Sequence, residues 1–108
     1  MDKTMLAKMA TTAFENLQAA RESLYSAAEN AIQTKADFET QKVDLSLSGK
    51  LDGKNAELRE AQARTFLTDA FDAVAIVERS ERAARYKFDK ASIDVDTVKT
   101  LLRIAELS

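Results

Sequence analysis

An apolar stripe in unbroken heptad phase constrains this chain more than any other feature. It runs through Ala63, Leu67, Ala70, Val74, Val77, Glu81, Ala84, Phe88, Ala91, Val95, Val98, Leu102 and Ala105, and only Glu81 is polar. Residues spaced alternately three and four apart share one helix face, and an apolar face of that kind has to be covered. A strand needs a period of two over a few residues, and nothing here sustains it. The preceding region reads the same way through Leu6, Ala10, Ala13, Leu17, Ala20, Leu24, Ala27, Ala31, Thr34, Phe38, Gln41 and Leu45. Phe14, Tyr25, Ala28, Ile32 and Val43 lie beside that stripe and are expected to widen it.

The two stripes are separated at one place. Ser46-Leu47-Ser48-Gly49-Lys50-Leu51-Asp52-Gly53-Lys54-Asn55 holds both glycines of the chain, and there is no proline anywhere. Glycine tolerates the backbone angles that end a helix, and Asp52 or Asn55 can cap the next one. Glu57 and Glu60 follow in the first turns, where the helix dipole favours carboxylates. The reading is an all-α antiparallel helical hairpin: a helix over about 3–45, a loop over about 46–54 and a helix over about 55–107. About half of the 108 residues are Ala, Glu, Lys, Leu or Arg, a composition typical of long helices.

A hairpin alone encloses little, and its arms have unequal lengths. With a turn near residue 50, partner numbers sum to about 100, so Leu6 pairs near Asp94. The tip beyond Val95 is then left without a partner in the chain, yet it carries Val98, Leu101, Leu102, Ile104 and Leu107. Burying one Leu or Val is worth roughly 1.5–3 kcal/mol. These residues are therefore the expected interface of a homodimer or higher oligomer, with the arms forming a larger bundle. Phe66, Phe71, Ile76 and Ile93 add to the surface needing cover. The alternative is a three-helix bundle with a break near Ser92-Ile93-Asp94-Val95-Asp96, a stretch of poor helix formers and good caps.

Composition excludes several activities. With no cysteine and no histidine there is no usual zinc site, thiolate nucleophile, disulfide, imidazole base or serine triad. The net charge of −2 is spread evenly, with 7 basic and 8 acidic residues up to Lys54 and 9 and 10 after it. The amino-terminal stretch has no apolar signal region, and no run reaches the roughly 20 apolar residues of a membrane span. A cytoplasmic protein without membrane contact is expected.

Three places in the sequence carry residue types suited to chemistry. Arg79, Arg82, Tyr86 and Lys90 fall on one narrow arc opposite the seam and offer an anion or nucleic-acid face. The plainer reading is a solvated face with Glu78–Arg82 and Arg85–Asp89 pairs. Carboxylates recur three apart at Glu57/Glu60, Asp69/Asp72 and Glu78/Glu81, a spacing used for Mg²⁺ in all-α nucleotide pyrophosphatases. A metal-dependent nucleotide hydrolase is the corresponding alternative, although Asp69 and Asp72 project away from the seam and Glu57 and Glu60 sit at its flank near the loop. Glu81, the seam's one charge, is expected to pair with Arg21 and fix register. The Gly49–Asn55 loop has lysines beside glycines, but its spacing departs from a phosphate-binding loop.

Gly53-Lys54-Asn55-Ala56-Glu57-Leu58-Arg59-Glu60-Ala61-Gln62, set between two amphipathic helices, resembles a turn found in small helical proteins encoded by bacteriophages and prophages. The resemblance covers the hinge, with the arms alike in composition. It implies a phage or prophage setting and no enzymatic activity, and it carries over no functional residues; no cofactor is expected. The expected function is a non-enzymatic interaction or scaffold protein acting through protein–protein contacts. A nucleic-acid-associated accessory role is the other alternative.

Overall fold

The structure is a computed structural model that describes residues 2–107. Among these residues there are three helices and no strand: α1 (Lys3–Leu47), α2 (Ala56–Phe66) and α3 (Thr68–Glu106). The all-α class holds, but the second arm is two helices rather than one.

Each terminus of these helices has a local cause. At the start of α1, the Met5 N–H donates to Asp2 Oδ1 at 2.7 Å, which satisfies one of the free amides of the first turn. At its end, Gly49 adopts φ +78 and its N–H donates to the Ser46 carbonyl, while the Ser48 hydroxyl donates to the Leu45 carbonyl at 2.6 Å. Positive φ costs a side-chain-bearing residue roughly 1–2 kcal/mol, so glycine belongs here. Of the two candidate caps for α2, Asn55 does the work: its side chain accepts the Leu58 N–H at 2.9 Å.

Asp52 has a different role. Gln62 Nε2 donates to Asp52 Oδ1 at 2.6 Å, Gly53 N–H donates to Gln62 Oε1 at 2.9 Å, and Arg59 Nη1 donates to the Gly53 carbonyl at 3.0 Å. These bonds clasp the loop onto the first turns of α2. The backbone comes so close that a Cβ on Gly53 would lie 2.7 Å from Leu58 Cβ and 3.0 Å from the Arg59 nitrogen.

The break in the second arm falls at Leu67, not near Ser92–Asp96, which is continuous helix within α3. Leu67 takes φ −115 and ψ 32, outside the helical range, while its N–H still donates to the Ala63 carbonyl at 2.8 Å. Around it Thr65 donates to the Ala61 carbonyl, and Thr68 to those of Arg64 and Thr65. Threonine hydroxyls that bond back onto the preceding turn bend helices. The poor propensity of Ser92-Ile93-Asp94-Val95-Asp96 is overridden by burial: Ala91, Val95 and Val98 are all under a tenth exposed.

Contacts divide the chain into two compact units, one joining residues up to 27 with those from 81 onward and the other spanning 28–80. In the second unit the rings of Phe38 and Phe71 meet edge-on at 4.7 Å, and the Arg64 guanidinium stacks 4.7 Å from the centre of Phe71. Ala31, Ala63 and Val77 are buried there. Lys35 pairs with Glu78 at 3.7 Å and Lys42 with Glu60 at 3.4 Å.

In the first unit Ala13, Val95 and Val98 form the core cluster, with Met9, Ala10, Leu17 and Leu102 packed on it. Leu6 is 3% exposed and shares a cavity with Leu102 and Ala105. This corrects the expected register. Leu6 lies beside Leu102, not Asp94, so the inner face of the tip is covered by its own chain. The clasped loop and the irregular turn at Leu67 both use up residues on the α2–α3 side. Partners therefore fall farther along α3 than a turn centred on residue 50 allows.

Candidate functional site

The expected oligomer interface is split by this register. Val98 is 6% exposed within the core, and Leu102 packs against it. Both are spent on α1, and Leu101 is half-buried. Ile104 and Leu107 remain outside, at 57% and 85% exposure. The length mismatch that motivated an oligomer therefore no longer holds, although apolar surface on the far side of α3 does remain.

Several residues expected to widen the apolar stripes also face solvent. Phe14, Tyr25, Ile32 and Val43 of α1 are exposed, as are Ile76 and Ile93 of α3 and Phe66 of α2. Phe71 is half-buried against Phe38, and Ala28 is half-buried. Phe14 has the Lys99 ammonium 6.0 Å from its ring centre, within the range of a cation–π contact.

Arg79, Arg82, Tyr86 and Lys90 are all exposed on α3, with Tyr86 at 71%. The ion pairs expected to occupy this face do not form. Glu78 reaches Lys35 instead of Arg82, and Arg85 pairs with Glu81 at 3.7 Å instead of Asp89. Glu81 is thus held by its own helix and not by Arg21, whose side chain is exposed. Lys90 also borders a shallow groove with Lys87, Asn16 and Asp94.

The carboxylate pairs do not converge. Glu60 is engaged by Lys42, Glu78 by Lys35 and Glu81 by Arg85, while Asp69 and Asp72 are exposed. No group of three metal-ligating side chains comes together among the described residues. The Gly49–Asn55 loop is filled by its own clasp, with the Gly53 N–H already donating to Gln62. Gln62 and Arg59 were not singled out by sequence reasoning. Their signal lay in the hinge segment itself, where every residue that makes the clasp or the cap other than Asp52 falls between Gly53 and Gln62.

No helix among the described residues is long and apolar enough to cross a membrane. No protein-family model matches the chain, and neither a curated protein nor a solved structure matches it.

Proposed function

We propose that this chain is a non-enzymatic helical interaction or scaffold protein that works as a homo-oligomer through protein–protein contacts in the cytoplasm. The observation that supports it is an inversion of side-chain size. Among the described residues the buried ones are Leu6, Val77, Val95, Val98 and alanines, whereas Phe14, Tyr25, Ile32, Ile76, Ile93 and Ile104 face outward. Small residues inside let helices approach closely but bury little area each. Large apolar residues outside are the usual substance of a binding surface. The hinge resemblance supports a phage or prophage setting. Sedimentation equilibrium from about 1 to 200 µM tests the reading, because a weak interface of modest size has a Kd in the micromolar range. A mass that rises with concentration supports it, and a constant monomer mass removes it.

One observation favours a second reading. Arg82 and Lys90 carry no ion pair among the described residues and lie one helical turn to either side of the exposed Tyr86. A nucleic acid bound there would be retained at low salt, released as salt rises, and lost on Arg79→Glu with Arg82→Glu. Absence of binding at low salt removes this reading.

A further inference from the structure

The outer face of α3 has a periodicity of its own. Ile93, Thr97, Thr100, Ile104 and Leu107 are spaced by four, three, four and three residues, the a/d pattern of a coiled-coil seam, and all five are exposed. This stripe lies opposite the face that packs on α1. The two threonines do not make it polar. Thr97 Oγ1 donates to the Ile93 carbonyl and Thr100 Oγ1 to the Asp96 carbonyl, each at 3.0 Å. With their hydroxyls engaged on the helix itself, both can meet an apolar partner with their methyl groups at little desolvation cost.

We propose that a second copy of the chain docks on this stripe, antiparallel, about a two-fold axis at Thr100. The proposal rests on the homo-oligomer reading and names its surface. Self-complementarity argues for it, since an isologous contact requires residue i to meet j and j to meet i. With the axis at Thr100, partner numbers sum to 200, so Ile93 faces the partner's Leu107, Thr97 lies level with the partner's Arg103 and one residue from the partner's Ile104, and Leu101, half-buried, lies beside the axis. Asp96 and Arg103 occupy the same flank of the stripe, both exposed, with no ion pair within the chain among the described residues. Antiparallel seams bring like flanks together. Asp96 therefore meets the partner's Arg103, and the symmetry repeats the pair.

Charge also selects the direction. The same stripe continues backward through Lys90, Tyr86, Arg82 and Arg79. A parallel dimer would set these cations against their own copies, whereas the antiparallel one carries them to opposite ends. The apolar seam spans about 21 Å of helix. That is short for an interface, so association falls in the micromolar range.

The chain has no cysteine, which makes disulfide trapping clean. Under mild oxidation Thr100→Cys is expected to cross-link to a covalent dimer, while Ile93→Cys alone is not. Mixing Ile93→Cys with Leu107→Cys is expected to give the mixed dimer. In sedimentation, Ile104→Asp is expected to weaken association at least tenfold. Asp96→Arg weakens it several-fold, and adding Arg103→Asp restores it. These positions are exposed, and circular dichroism of each variant confirms that the helices persist. Cross-linking of Ile93→Cys to itself overturns the antiparallel arrangement. Wild-type association that ignores Ile104→Asp, with Thr100→Cys linking no faster than Gln33→Cys, overturns this seam and leaves self-association standing. A wild-type chain that stays monomeric at 200 µM overturns both.

Discussion

Gly53 shows how one residue can hold a turn in place. Its missing side chain lets the loop backbone pass against Leu58 and Arg59, and its N–H and carbonyl are both held by side chains of α2. Gly53→Ala is expected to cost about 1–3 kcal/mol, as overpacking does. Asn55→Ala removes the cap and costs about 1 kcal/mol. Each kcal/mol lowers Tm by roughly 4–8 °C in a chain of this size, so thermal melts followed at 222 nm separate both variants from wild type. An unchanged Tm in Gly53→Ala would mean the clasp is not formed. Gly49 and Asn55 were legible in the sequence because their effects are local, whereas the close approach at Gly53 was not. Gln62 was not, because its partners Asp52 and Gly53 lie ten and nine positions back and a loop has no period to count along.

At the scale of helices, the heptad stripe correctly indicated which face of α3 is buried. Val77, Ala84, Ala91, Val95 and Val98 are all buried. It could not place the break, because Leu67 is itself a stripe residue and the phase runs through it undisturbed. The signal was in Thr65 and Thr68, whose hydroxyls compete for carbonyls of the preceding turn. Register was lost for the same reason: apolar periodicity fixes a face but not the number of residues that a clasped loop and an irregular turn consume. The corrected register makes a specific prediction. Leu6 is buried and lines one cavity with Leu102, so Leu6→Ala should cost about 2–4 kcal/mol in chemical denaturation. Had Leu6 been a lightly covered end, the loss would be within about 0.5 kcal/mol.

For the whole molecule, the division of labour on α3 matters most. Its inner face is taken by α1 of the same chain, through Ala13, Val95 and Val98, and its outer face carries Ile93, Ile104 and Leu107 into solvent. The unequal arm lengths suggested apolar surface left to cover at the tip, but the register they assumed gave Val98 and Leu102 to a partner when both pack within the chain. Only the three-dimensional register separates the residues spent within the chain from those left for a companion. The basic arc at Arg79, Arg82, Tyr86 and Lys90 was readable because helical geometry alone sets it, and the structure keeps it exposed. An isotope-filtered NOE experiment on a mixture of labelled and unlabelled chain distinguishes the two faces in one sample. Intermolecular NOEs are expected at the methyls of Ile93, Thr97, Ile104 and Leu107, with Leu6 to Leu102 and Ala13 to Val95 purely intramolecular. Intermolecular NOEs at Leu6, Ala13 or Val98, or none at the outer methyls, would contradict it.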